Sequence, residues 1–403
     1  METLFDIRRH ETLEDQPWSD GFATEEIYSI VEDICVSTDE DNSWPTHPLD
    51  AESYPNVGPK WAQYAGAAGV LTALQILDRT GFQVCDLQHR LPAIHGAYLQ
   101  NPDVTIEPGL QIGEMGIMIP TFLWQPDNEA LKKKLLQCME NTLELPFYEI
   151  TSGQTGMMHA ALALYKRTKD DCWKELYLKG ADVLLKAWER LSGTEEWHWE
   201  SHIFGCKRRY YGACHGLAGN ANILILGADL LPNDLVETII ERTVSTLALS
   251  VIEDNDMANW IHFVQPQTEK RLVQWCHGAA GIITSMAGTP ISTTKSSITL
   301  DGLLRKSGKL VWKAGPLTKG AGLCHGTAGN GYAFLYLYKR WGDAIWLERA
   351  KTFAMHAIKQ SRQSKIQYGQ RRFSLWTGDA GLAVYLHHCI NPHETAFPGL
   401  ELF

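Results

Sequence analysis

Apolar and polar positions along the chain follow the helical period over most of its length. The segments NEALKKKLLQCMENTLEL (128–145), DLVETIIERTVSTLALSVIE (234–253) and IWLERAKTFAMHAIKQS (345–361) place apolar residues at i, i+3, i+4 and i+7, with charge on the opposite face. They read as exposed helices packed on one side. Between such segments run stretches that are apolar on most sides, as buried helices are. Seven of these runs open with Gly-x-x-Gly, the first glycines being Gly66, Gly113, Gly153, Gly216, Gly278, Gly326 and Gly378. The spacing between them, 40 to 63 residues, accommodates two helices and their turns. Each unit therefore predicts an exposed helix, a glycine turn and a buried helix, and strand-like alternation is scarce. Helical hairpins of this kind need neighbours to cover their apolar faces. An open stack would need polar capping units, and none is evident. Closure into an all-α ring, an α/α toroid of about seven helical-hairpin repeats, removes the need and gathers the glycine turns at one end. Glycine suits those turns because it permits positive φ and close helix approach.

Other stretches fit around this repeat. TDEDNSWPTHPLDAESYPNVGPK (38–60) is acidic and Pro-rich and separates a short N-terminal helix from the first repeat. The expected organisation is thus an N-terminal helix and loop (1–60) packed on a single toroidal domain (61–403). The polar, β-branched AGTPISTTKSSITLDG (287–302) reads as a surface excursion.

Composition narrows the partners. The 403 residues are 44% hydrophobic and 21% charged, with a net charge of −11 and no long Lys/Arg block, which argues against nucleic acid or an anionic membrane. No run approaches about 18 apolar residues and the N-terminus has no signal-like core, so a cytoplasmic protein without an integral membrane segment is expected. Nine cysteines, odd in number and widely spaced, argue against a disulfide framework. Those outside the motifs below read as small buried hydrophobes in a reducing compartment.

Three glycine turns carry chemistry that packing does not explain, because Cys214-His215, Cys276-His277 and Cys324-His325 precede the glycines. Thiolate and imidazole suit zinc, and a helix N-terminus favours thiolate over thiol. Gathering such turns at one end of a ring would bring distant ligands together. Spacing alone does not choose three ligands from six candidates, and buried cysteines beside hydrogen-bonded histidines are the plain alternative.

The motifs WCHGAAG, GLCHGTAGN and CHGLAGN, with the seven Gly-x-x-Gly units and the closing AFPGLELF, resemble the lanthionine synthetase C (LanC) and LanC-like family from about Tyr64 to the C-terminus. LCHGTAGNGYAFL and FPGLEL are nearer its LanC-like branch. The resemblance implies an α/α toroid holding one Zn2+ through Cys276, Cys324 and His325, with a fourth position for water or a substrate thiol. It makes His215 the acid/base and leaves Cys214 a buried thiol without a role. His277 would orient substrate. Glu149 would assist proton transfer or pair with His215, or else be structural. Lys319 would associate with glutathione, and Arg371 and Arg372 with a carboxylate or phosphate, unless these cations are merely solvated.

The implied activity is addition of a thiol to dehydroalanine or dehydrobutyrine in a dehydrated peptide or protein, giving a thioether. The thiol would be glutathione or a peptide cysteine, with the LanC-like features favouring glutathione. A non-catalytic zinc- and glutathione-binding regulatory protein is the alternative. A carbohydrate-active toroid would need paired carboxylates, which nothing in the sequence pairs. One departure counts against peptide cyclisation, since Leu272 stands where cyclases often carry arginine, with Lys270 and Arg271 out of register. No dehydratase-sized extension accompanies the repeats, so a bifunctional synthetase is not expected and dehydrated residues would come from elsewhere.

Overall fold

Each apolar run becomes a helix facing the centre of a ring. A computed structural model describes residues 4–14, 16–39, 42–51, 60–103, 107–203, 205–264 and 270–403. In chain order its α-helices are α1 (Asp20–Val36), α2 (Pro48–Ala51), α3 (Ala67–Arg79), α4 (Leu91–Gln100), α5 (Glu114–Trp124), α6 (Glu129–Asn141), α7 (Gln154–Thr168) and α8 (Asp171–Lys186). Then follow α9 (Leu217–Leu226), α10 (Asn233–Ser250), α11 (Ala279–Met286), α12 (Lys295–Ala314), α13 (Thr327–Trp341), α14 (Ala344–Tyr368) and α15 (Asp379–Ile390). The odd-numbered helices from α3 to α15 form the inner layer, and α15 packs against α3 to close it. The even-numbered helices from α4 to α14 form the outer layer. Its seventh place, outside α15, is taken by α1 from the N-terminus. The expected toroid is the observed architecture.

The two layers differ as the patterns predict. Inner α13 buries every residue from Thr327 to Leu337. Outer α12 buries Leu300, Leu303, Leu304, Ser307, Leu310 and Val311, a single face at helical spacing.

The glycines act chiefly through close approach. In all seven motifs a Cβ on the second glycine would lie 1.7–2.1 Å from the carbonyl oxygen six residues earlier, as Gly329 would from Leu323. The expectation of positive φ is corrected, since the first glycines have extended backbone except Gly278, at φ 97°. Neighbouring turns are then laced by backbone hydrogen bonds running one way round the ring. Tyr64 donates to Gln111 (2.8 Å), Gln111 to Thr151 (2.9 Å), Ile150 to Cys214 (3.0 Å), Cys276 to Cys324 (3.1 Å), Cys324 to Trp376 (2.8 Å) and Trp376 to Tyr64 (3.2 Å). Between the fourth and fifth turns, where no such bond occurs among the described residues, Gly212 lets the chains touch, because a Cβ there would sit 2.5 Å from the Cys276 carbonyl oxygen.

Several expectations are revised. The segment 287–302 is not all surface loop, because the Thr294 hydroxyl accepts from the Ser297 N–H and starts α12 at Lys295. Short antiparallel hairpins pair β1 (Glu189–Arg190) with β2 (Trp197–His198), β3 (Ser201–Ile203) with β4 (Cys206–Arg208), and β5 (Ile252–Asp254) with β6 (Met257–Asn259). Two of the presumed small buried hydrophobes, Cys35 and Cys85, form a disulfide, because the last turn of α1 lies beside the segment that follows α3. Cys206 is exposed and Cys172 half-buried, whereas Cys138, Cys214, Cys276, Cys324 and Cys389 are buried and free. Residues 40, 41 and 52–59 of the expected acidic loop lie outside the described residues. No described helix is long and apolar enough to cross a membrane.

Candidate functional site

The turns preceding α11 and α13 are neighbours in the ring, and the Cys276 N–H donates to the Cys324 carbonyl oxygen at 3.1 Å. Behind them the aromatic rings of Trp275 and Trp376 pack on Phe397 of the C-terminal tail, with centroids 4.9 and 5.6 Å apart. This brings Cys276 Sγ, Cys324 Sγ and a ring nitrogen of His325 within 4.8 Å of one another. No other such group of three or more His, Cys, Asp or Glu side chains occurs among the described residues. Both cysteines are buried and reduced. A hydrogen bond from Cys324 holds Cys276 well below the ordinary thiol range, and the same contact, with burial, pushes Cys324 well above it. Gln274 Nε2 also donates to Cys276 Sγ at 2.9 Å. Two sulfurs and an imidazole, converging and unbridged, form a donor set that a borderline-soft metal ion fits.

The cluster opens into a cavity of about 670 Å³ lined by residues of six turns and of the β3–β4 hairpin. That size is in the range of small-molecule sites. Glu149 and His215, 66 residues apart in sequence, meet on its wall. The fully buried Glu149 carboxylate accepts the backbone N–H groups of Thr151 (2.7 Å) and Ser152 (2.6 Å) and faces His215 Nδ1 at 2.9 Å. Burial opposes charge on the His215 ring. The Cys214 sulfur and the Glu149 carboxylate outweigh it, so the ring keeps its proton well above the ordinary imidazole range.

His277 lines the same cavity, its ring 5.7 Å from that of His215 and 5.5 Å from that of His262. Burial pulls it down to about 4, against the opposing pull of the Cys276 sulfur, and it stays neutral. Cys214 is on the cavity wall with its sulfur 3.6 Å from the Thr151 hydroxyl.

Three basic residues lie elsewhere. Lys319 is exposed and is not among the residues lining the cavity. Arg371 is buried and bonded to Glu26 (3.0 Å) and Asp33 (2.6 Å) of α1, and Arg372 pairs with Asp50. Carboxylates of the N-terminal region thus pair with both guanidinium groups, which were expected to bind a carboxylate or phosphate of a ligand. Gln274 and His202 of the cavity wall were missed by sequence reasoning. His202 sits on β3, which carries no periodic signal, and the spacing of Gln274 from Cys276 does not reveal a contact between their side chains.

Comparison with known proteins agrees with this architecture. The family model described as "Lanthionine synthetase C-like protein" matches residues 122–402. The chain is 27% identical over 285 residues to "Glutathione S-transferase LANCL1" of Danio rerio, covering 69% of this chain and 68% of the relative. It is 28% identical over 258 residues to "LanC-like protein GCL1" of Arabidopsis thaliana, covering 63% of this chain and 58% of the relative. The matched region thus spans somewhat over half of the plant protein. Among solved structures, "Nisin cyclase" superposes with a TM-score of 0.60 at 14% identity, covering 91% of this chain and 99% of that one, a likeness of fold. With the family model matched over most of its length and the same closed ring of helices, this chain belongs to the lanthionine synthetase C-like family.

Proposed function

We propose that the chain is a zinc enzyme that joins a thiol to a dehydroalanine or dehydrobutyrine residue of a peptide or protein, forming a thioether. The observation that carries the reading is the meeting, in one cavity, of the Cys276, Cys324 and His325 donor set with the Glu149–His215 pair. Zinc held by Cys276, Cys324 and His325 would supply a Lewis acid that makes a substrate thiol available as thiolate at neutral pH.

The remaining work falls to the chain's own side chains. As sulfur bonds to the β-carbon, the C=C electron pair shifts to the α-carbon, which then takes a proton. His215, kept protonated beside Glu149, is the acid suited to deliver it. Glu149 orients the ring through Nδ1 and is itself held by two backbone N–H groups, so it acts as a fixed support. Neutral His277 sits against His215 without adding charge to the wall, as fits a group that contacts substrate. The thiol we assign is glutathione, a choice supported by the name of the Danio rerio relative.

Incubating the zinc-loaded protein with glutathione and a dehydroalanine peptide, then measuring peptide mass, tests the proposal. A product heavier by one glutathione is expected. Absence of product with several such peptides, in protein that retains zinc and binds glutathione, would favour the non-catalytic binding role instead.

A further inference from the structure

The sulfur of Cys276 touches a side chain that none of the roles above uses. Gln274 is buried, 6% exposed, and its carboxamide has two ends with different partners. Arg9 Nη2 lies 3.2 Å from Gln274 Oε1, and Gln274 Nε2 lies 2.9 Å from Cys276 Sγ. A carboxamide can be built either way round, and here its neighbours decide. Arginine carries only donors, so the atom it meets must be the carbonyl oxygen. The NH2 end therefore faces the sulfur.

Arg9 is itself held by its surroundings. The Glu11 N–H donates to the Pro316 carbonyl oxygen (2.8 Å), the Thr318 N–H donates to the Arg9 carbonyl oxygen (3.0 Å), and His10 Nδ1 lies 3.0 Å from the Gly315 carbonyl oxygen. The N-terminal segment is thus tied to the segment leading into the Cys324 turn. The Cys276 turn does not need the Gln274 side chain for its shape. Its backbone is closed by Gln274 N–H to His277 O (3.1 Å) and His277 N–H to Gln274 O (3.2 Å), and Asn330 Nδ2 holds the Val273 carbonyl oxygen at 2.9 Å.

We infer that Arg9 and Gln274 form a relay that positions the Cys276 sulfur and sets its donor strength toward a bound metal ion. The inference rests on the metal-binding reading proposed above. An N–H aimed at a ligand sulfur withdraws charge from it and fixes its direction, and such outer contacts are worth about 10- to 100-fold in metal affinity or activity. The relay also gives the N-terminal segment, with Arg9 265 residues distant from Gln274 in sequence, a hold on the site.

The test uses cobalt(II) in place of zinc, because sulfur-to-cobalt charge-transfer absorption reports the donor strength of the sulfurs directly. Gln274→Leu keeps the side-chain bulk and removes the donor. It should bind one cobalt per chain, move the charge-transfer band to lower energy and lower kcat about 10-fold with KM little changed. Arg9→Met, which frees the carboxamide to turn, should shift the band in the same direction by less, and Arg9→Lys should restore it. A Gln274→Leu band at the wild-type position would overturn the relay, as would an Arg9→Met protein indistinguishable from wild type. Wild-type protein that takes up no cobalt would overturn the metal-binding reading itself.

Discussion

At the scale of single residues, the proposed function separates groups that would hold a metal from groups that would move a proton. Cys324→Ala should abolish stoichiometric zinc, whereas His215→Ala should keep zinc and lose turnover by at least about 100-fold, read by metal analysis alongside product mass. Glu149→Gln keeps one acceptor for two backbone donors and removes the charge beside His215. Because that carboxylate raises the His215 pKa, its loss should move the alkaline fall of kcat to lower pH, and an unshifted pH profile would exclude Glu149 from this role. Away from the site, burial lowers His159 to about 3 against an ordinary value of 6.5. The unfolded chain therefore binds a proton that the folded chain refuses. The stabilisation is complete above about pH 6.5 and is lost as pH falls toward 3, by about 1.4 kcal/mol per unit. Guanidinium unfolding of His159→Leu should accordingly show about 1.4 kcal/mol less difference between pH 7.5 and 5.5 than wild type. The convergence of Cys276, Cys324 and His325 was foreseeable only through the family resemblance, since recurrence of the motif in turns that a ring must gather leaves six candidates. The partners of Arg371 were not legible, because Glu26, Ser29 and Asp33, all bonded to it, look in sequence like the solvated face of a helix.

At the scale of elements, the glycine turns show one residue type under opposite constraints. Gly329→Ala would put a methyl 1.7 Å from the Leu323 carbonyl oxygen, a backbone atom that cannot swing aside, and should cost about 3 kcal/mol or more. Gly96→Ala on exposed α4 meets nothing within 4 Å and should stabilise by about 0.5–1 kcal/mol through helix propensity. Urea unfolding of the pair checks both signs. Seven inner helices were readable in sequence because each is announced by its glycines and a long apolar run. The hairpins between α8 and α9 and between α10 and α11 were not, since strands of two or three residues carry no period to detect.

At the scale of the whole molecule, ring closure was legible as a requirement, since exposed apolar faces had to be covered, but which helix fills the last outer place was not. The Cys35–Cys85 link spans 50 residues and ties α1 to the segment after α3. Closing a loop of that length restricts the unfolded chain by about 4 kcal/mol in the chain-entropy account. Reduction should therefore lower the thermal midpoint by several degrees, and Cys35→Ser should reproduce the shift without reductant. An unchanged midpoint would remove the disulfide from the protein's stability. The place of α1 beside α15 has a further consequence during biosynthesis. Ile27, Ile30, Val31 and Ile34 leave the ribosome early, and α15 follows roughly 340 residues later, on the order of twenty seconds to over a minute at ordinary translation rates. Throughout that interval the nascent chain carries a greasy stripe whose mate has not been made, and a premature stop codon near the end would leave the earliest helix orphaned.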